Sequence, residues 1–115
     1  MNDCLICRIV AGELPATVVR ETDTTLAFRD INPKAEVHVL VVTKAHYADI
    51  ATLATDDQEL AGDLMATVAV VAETEGLLAD GFRTIFNTGV YGGQELDHVH
   101  AHVLGGEPLG PMVCK

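Results

Sequence analysis

Histidines alternate with apolar residues over 98–104, and this alternation narrowly limits how the segment can fold. Successive side chains of an extended strand point to opposite faces, so His98, His100 and His102 are predicted to share one face, roughly 6.6 Å apart. The residues between and after them would point the other way, into a core: Val99, Ala101 and Val103. The spacing alone fits a chemical site, a metal-binding comb and a surface strand that holds histidines by chance.

The rest of the chain predicts more strands around one main helix. Apolar and β-branched runs favour strands at 17–21, 25–29, 37–42 and 82–87, before the last strand at about 98–104. The helix is indicated by apolar residues at helical spacing, with Thr55 and Gln58 as a capping box: Leu60, Leu64, Val68 and Val71. We expect a single α+β domain over residues 1–115, built on an antiparallel sheet.

Charge and cysteine content restrict the class of partner. The formal net charge of −10 argues against general binding to nucleic acid, whose phosphates need a basic face. The N-terminus shows no signal-peptide pattern, and the sequence has no apolar stretch of about 18 residues that would span a membrane. Three cysteines, Cys4, Cys7 and Cys114, with one C-x-x-C spacing, favour a cytoplasmic protein over a secreted disulfide framework.

A glycine-bearing loop precedes the histidine strand. Its residues Gly92 and Gly93 would let the backbone approach an anion closely, although the pair also fits a simple hairpin turn. Asn87, at the end of the preceding strand, could supply an amide donor to the same place. Together with the three histidines, these residues predict a pocket for attack on phosphorus.

The alternating histidines resemble the signature of the histidine-triad superfamily. The similarity continues over 12–16, 26–33, 87–89, 92–94 and 104–106, and it is greater to the histidine triad nucleotide-binding protein branch than to the fragile-histidine or uridylyltransferase branches. The resemblance implies the histidine-triad fold, a purine nucleotide substrate and a homodimer. The apolar tail, Pro108 to Cys114, could cross to a partner subunit.

The resemblance also implies roles for residues in the pocket. His100 would be the nucleophile that takes the nucleotidyl group, and His38 would support the triad from the neighbouring strand. His102, Asn87 and backbone amides near Gly93 and Gln94 would contact the phosphate.

The remaining nucleotide contacts follow from the same resemblance. Asp30 would accept hydrogen bonds from both ribose hydroxyls. The base would enter an apolar slot, although three of its residues (Ile9, Phe28 and Leu40) would be buried in many other folds. The slot comprises Ile6, Ile9, Phe28, Ile31 and Leu40.

The C-x-x-C pair suggests a second site. Cys4 and Cys7 supply half of a tetrahedral zinc site, and His46 and His98 are the natural candidates for the other half. Some bacterial histidine-triad proteins hold zinc in this way, and four protein ligands would make the metal structural. The alternative is a reduced thiol pair without metal.

The sequence therefore predicts an enzyme that hydrolyses purine nucleoside phosphoramidates or related adenylates at the α-phosphorus through a nucleotidyl-histidine intermediate. The alternatives are a dinucleoside polyphosphate hydrolase, a nucleotide-binding regulator with little turnover, and a metal-storage module. Glu95 stands where the most similar branch typically has a serine, and Asp97 where it usually has an uncharged residue. An ionised Glu95 facing the phosphate would repel it, unless the carboxylate points away or is protonated. We therefore expect this residue to affect the leaving-group preference and the rate.

Overall fold

The sheet and its helices are given by a computed structural model that describes residues 3–113. Met1, Asn2, Cys114 and Lys115 lie outside the described residues, so the predicted tail is covered only as far as residue 113, and the part of the prediction that concerns Cys114 lies outside it. Within 3–113 the elements are α1 Leu5–Val10, β1 Val18–Glu21, β2 Thr25–Arg29, β3 Val37–Thr43, α2 Ile50–Asp56, α3 Gln58–Thr74, β4 Phe82–Ile85 and β5 His100–Gly105.

The strands form one sheet in the order β1-β2-β3-β5-β4, and every neighbouring pair is antiparallel. The predicted α+β fold with an antiparallel sheet is therefore confirmed. β3 and β5 are adjacent, with Val42 opposite His100 and Leu40 opposite His102. This register places His100 and His102 beside β3, the middle strand of the sheet.

The two faces of the sheet carry different residues because side chains alternate along each strand. One face packs its apolar residues against α3 in the main core: Ala27, Val39, Val41, Ala101 and Val103 against Leu60, Leu64, Val68, Val71 and Ala72. On the other face Leu26, Phe28, Leu40 and Val42 pack with Ile6 of α1. Three histidines alternate along β3 and β5 with the residues of the main core and therefore lie on this second face: His38, His100 and His102.

The helices differ from the prediction at their N-terminal ends. The capping box at Thr55 is wrong: Thr55 lies inside α2, and the carboxylate of Asp57 caps α3 by accepting from the Leu60 amide at 3.0 Å. Aspartate caps well because its side chain satisfies an amide that has no partner within the helix. α1 was not predicted; its N-cap is Cys4, whose Sγ accepts from the Cys7 amide at 3.3 Å.

Two strand ends also differ. The last strand begins at His100, not at His98, because its pairing with β3 starts at the Val42–His100 pair. β4 ends at Ile85, so Asn87 lies in the following loop. Among residues 3–113, no helix has both the length and the apolar character that crossing a membrane requires.

Candidate active site

A pocket of about 400 Å³ lies on the second face of the sheet and contains the three histidines of that face. Charged, polar and apolar groups surround it, so it can hold a ligand of mixed character. Its lining comprises Asp30, Lys34, His38, Leu40, Ile85, Asn87, Gly93, Glu95, Leu96, His100, His102 and Leu104. We call it the polar pocket.

His100 has one nitrogen fixed by the main chain. Its Nδ1 lies 2.7 Å from the carbonyl oxygen of His98, which can only accept, so Nδ1 carries the proton and donates. In the neutral ring the lone pair is then on Nε2, the nitrogen that a nucleophile needs. The ring is 8% exposed, and that exposure is to the polar pocket.

His38 and His102 form a second fixed chain. The Lys34 amide donates to His38 Nδ1 at 3.0 Å, so the proton of neutral His38 is on Nε2. His38 Nε2 donates to His102 Nδ1 at 2.9 Å, with Asp30 Oδ2 at 3.5 Å. Neutral His102 must then be protonated at Nε2, which makes it a hydrogen-bond donor for a ligand in the polar pocket.

Burial keeps these histidines neutral. The pKa of His102 falls from 6.5 to about 4, mainly because burial disfavours the charged ring and also because His100 and His38 repel a positive charge. Burial likewise lowers the pKa of His38, and the carboxylate of Asp30 offsets this only in part. Near neutral pH the donor and acceptor pattern described for His38 and His102 is therefore the populated one.

The glycine loop is closed on itself. The Gly93 amide donates to the Val90 carbonyl at 3.1 Å, and the Gln94 amide donates to the Gly89 carbonyl at 3.1 Å. A Cβ at Gly92 would lie 2.3 Å from the Thr88 carbonyl oxygen, so the turn needs glycine there. These two amides face into the loop, so Asn87 and His102 are the better placed donors for a phosphate.

Gln94 fixes the loop rather than lining the polar pocket. Its side-chain oxygen accepts from the Gly89 amide at 3.0 Å. Its side-chain nitrogen donates to the carbonyls of Ala48 at 2.7 Å and Leu96 at 2.8 Å. The predicted contact of Gln94 with substrate is untested, and its side chain already has three main-chain partners.

A second pocket, of about 440 Å³, adjoins the first and is mainly apolar; we call it the apolar pocket. It contains all five residues predicted for the base slot: Ile6, Ile9, Phe28, Ile31 and Leu40. Ile6 is 1% exposed whereas Ile31 is 90% exposed, so the slot has a buried floor and an open rim. Five residues line both pockets: Asp30, Lys34, Leu40, Glu95 and Leu96.

The four predicted metal ligands come together away from both pockets. Cys4 Sγ and Cys7 Sγ lie 3.3 and 3.4 Å from His98 Nδ1, and His46 Nδ1 lies 3.4 Å from Cys7 Sγ and 3.2 Å from His98 Nδ1. Tetrahedral zinc places nitrogen and sulfur ligands about 3.6 Å apart and two nitrogens about 3.3 Å apart. The donor set and its spacing therefore fit zinc.

His98 is oriented for this cluster. Its Nε2 donates to the Thr43 carbonyl at 2.8 Å, which leaves the Nδ1 lone pair facing the cysteines. The ring is fully buried, and burial lowers the pKa of His98, so the neutral ring could serve as a metal ligand. His98 precedes β5 and is therefore not part of the strand that carries His100 and His102. The predicted alternation still holds at its neighbour Val99, which enters the main core with Ala101 and Val103, while the His98 ring contacts Cys4 and Cys7 at α1.

Four lining residues of the polar pocket were missed by the sequence analysis: Lys34, Ile85, Leu96 and Leu104. The alternation that identified His100 and His102 also includes Leu104, so this residue could have been found. Lys34, Ile85 and Leu96 reach the polar pocket only through the folding of loops and the pairing of β4 with β5.

The sequence and the fold are similar to those of known proteins. The profile of the HIT domain matches residues 11–109. Purine nucleoside phosphoramidase of Escherichia coli K12 is 37% identical over 113 residues, which cover 98% of this chain and 95% of that protein. Protein HitA of Neisseria gonorrhoeae is 43% identical over 105 residues, covering 91% and 97%.

Solved structures agree. A HIT family hydrolase from Clostridium thermocellum matches with a TM-score of 0.92 and 37% identity over 99% of each chain. A HIT family hydrolase from Legionella pneumophila matches with a TM-score of 0.88 and 45% identity, over 94% of this chain and 100% of that chain. The prediction of a hydrolase with the histidine-triad fold is thereby confirmed. By its sequence, its fold and its histidine pocket, this chain belongs to the HIT domain family.

Proposed function

We propose that this enzyme binds a purine nucleotide and hydrolyses purine nucleoside phosphoramidates or related adenylates at the α-phosphorus, through a nucleotidyl intermediate on His100. The observation that carries the proposal is the hydrogen bond from His100 Nδ1 to the His98 carbonyl, which leaves Nε2 as a nucleophile at the polar pocket. The similarity to a purine nucleoside phosphoramidase supports the substrate class.

The two adjoining pockets suggest how the nucleotide lies. The base enters the apolar pocket against Ile6 and Phe28. Asp30 lines both pockets, and its Oδ1 accepts from the Asn32 amide at 2.8 Å, which holds the carboxylate for the ribose hydroxyls. The α-phosphate then lies in the polar pocket beside His100 and His102.

The chemistry takes place in two displacements. His100 Nε2 attacks the phosphorus, a P–N bond forms, and the bond to the leaving amine breaks as the amine nitrogen takes a proton from solvent. Water then attacks the phosphorus, the P–N bond to His100 breaks, and a proton passes to solvent, which releases AMP and restores neutral His100. The Nε2 proton of His102 and the amide of Asn87 stabilise the charge on the phosphoryl oxygens in both steps.

We also propose that Cys4, Cys7, His46 and His98 hold a structural zinc ion. Four protein ligands leave no position for water, so the metal would tie the start of the chain to the region between β3 and β5. Thiolate ligands of this kind need a reducing compartment, which agrees with the cytoplasmic location proposed from the sequence.

We propose a homodimer of single-domain subunits spanning 1–115. β4 is an edge strand of the sheet, and Phe82 on it is 37% exposed, so this edge is available for pairing. Arg83 donates to the Gly110 carbonyl at 2.8 Å and holds the tail beside β4, while Met112 and Val113 beyond it are exposed. Sedimentation at the monomer mass would contradict the dimer.

The function is tested by trapping the intermediate. Protein mixed with an adenosine phosphoramidate, denatured within milliseconds at alkaline pH and digested, should yield a peptide with one adenylyl group on His100. His100→Ala is the matched control and should give no adduct. Turnover without an adduct on His100 would overturn the covalent mechanism. Tight binding of AMP without turnover of any phosphoramidate would favour the nucleotide-binding regulator instead.

A further inference from the structure

Glu95 is an acid of the polar pocket to which the proposed mechanism gives no role. It lines both the polar and the apolar pocket. Among residues 3–113, its carboxylate has no hydrogen-bond or ion-pair partner, unlike the Asp30 carboxylate, which accepts from the Asn32 amide. A charged group that faces a ligand pocket without a protein partner is available to the ligand.

The main chain around Glu95 is held by hydrogen bonds, although its side chain is exposed. Gln94, directly before it, bonds to the Leu96 carbonyl directly after it and also to the Ala48 carbonyl and the Gly89 amide. These three bonds fix the main chain on both sides of Glu95. Glu95 is therefore kept at the wall of the polar pocket, within reach of a ligand bound there.

The other groups of the polar pocket leave one part of the substrate to Glu95. In the proposed binding mode, His102 and Asn87 face the phosphoryl oxygens, His100 faces the phosphorus and Asp30 faces the ribose. Lys34 is held on the ribose side, because its Nζ donates to the Asn32 carbonyl at 2.7 Å. These residues account for the phosphate and the ribose but leave the leaving group without a protein contact. Glu95 is the remaining acidic residue of the polar pocket and can contact the leaving group.

We propose that Glu95 selects the leaving group by charge and favours phosphoramidates whose departing amine carries a second, positively charged ammonium group. A carboxylate attracts such an arm and repels anionic leaving groups such as phosphate or a carboxylate-bearing amine. This inference rests on the proposed function and deepens it by naming the class of amine. It also predicts that dinucleoside polyphosphates, whose leaving group is a nucleotide anion, are poor substrates.

The test uses three adenosine phosphoramidates with alkyl amine arms of equal length that end in an ammonium, a methyl or a carboxylate group. For the wild type, kcat/KM should be roughly fivefold higher for the ammonium arm than for the methyl arm, as expected for an exposed charge pair. The carboxylate arm should be the poorest substrate. These ratios should shrink as salt is raised, because ions screen exposed charges.

The variants separate charge from shape. Glu95→Gln should bring the three substrates to similar kcat/KM values, and Glu95→Lys should reverse their order. Asp97→Asn is the matched control: Asp97 is exposed, lies two residues away and lines neither pocket, so the same change of charge there should preserve the wild-type ratios.

Two results would overturn the inference in distinguishable ways. If the wild type hydrolyses all three substrates with equal kcat/KM, or if Glu95→Gln keeps the wild-type ratios, then Glu95 does not select the leaving group although the proposed function stands. If none of the three substrates is hydrolysed, the proposed function itself is wrong, and the inference is wrong with it.

Discussion

The five histidines divide into two groups that use the same side chain in opposite ways. His46 and His98 direct their Nδ1 atoms at two cysteine sulfurs, in a cluster whose four ligand atoms lie within 4.8 Å of one another. His38, His100 and His102 instead face a pocket, and hydrogen bonds at one nitrogen of each ring decide what the other nitrogen can do. The histidines of the first group face the cysteine sulfurs, whereas those of the second group face the open polar pocket.

His98 connects the two groups. Its ring belongs to the cysteine cluster, and its main-chain carbonyl accepts the Nδ1 proton of His100. α1 is a second connection, because it carries Cys7 in the cluster and Ile6 and Ile9 in the apolar pocket. The cysteine cluster therefore bears on both the tautomer of His100, the proposed nucleophile, and one wall of the apolar pocket.

The largest expected effect comes from the second group. His100→Ala should lower kcat/KM by a factor of roughly 10² to 10⁶, because the covalent route is lost, while AMP binding changes little. Steady-state kinetics and calorimetric titration with AMP would measure the two quantities. The zinc content should be unchanged, since the His98 ring is not altered. A variant that keeps more than about a tenth of the activity would contradict nucleophilic catalysis by His100.

The next effect concerns the first group. The double variant Cys4→Ser, Cys7→Ser should lose about one zinc per chain, measured by elemental analysis of protein prepared without chelator. If free zinc exceeds its dissociation constant about a thousandfold, the bound metal adds roughly 4 kcal/mol to the free energy of unfolding. The melting temperature should therefore fall by more than roughly 10 °C.

The same double variant sharpens the link between the groups. Because α1 also carries Ile6 and Ile9, its loss of anchoring should weaken AMP binding, and AMP should in return tighten zinc binding in the wild type. Wild-type protein that contains no metal, or a double variant with unchanged melting temperature, would show that the cluster is not a zinc site.

The smallest effect is a dependence of stability on pH. The folded-state pKa of His102 is about 4, below its ordinary value of 6.5, so between these values the unfolded chain binds more protons than the native one. Stability should therefore be full above about pH 6.5 and decline as the pH falls toward 4, by up to about 3 kcal/mol from this residue. His102→Gln should flatten the decline in urea unfolding experiments. Equal slopes for both proteins would remove His102 as the cause.

Local spacing determined part of this site. The alternation of histidine with apolar residues, together with the neighbouring strand, predicts that His100 and His102 share one face of a sheet, and the structure places them there. Strand side chains alternate whatever the surrounding fold is, so this inference needs only a few consecutive residues. His98 precedes the paired strand, and the structure places its ring in the cysteine cluster and not at the polar pocket.

Only the tertiary structure decided which distant residues meet. Cys4 and His98 are 94 positions apart, and their approach depends on where α1 packs and where β3 ends. The inward-facing Gly93 amide and the place of Glu95 at the polar pocket likewise depend on how the glycine loop closes through Gln94. Spacing along the chain gives the periodicity of an element, whereas the register between elements depends on packing contacts that lie far apart in sequence.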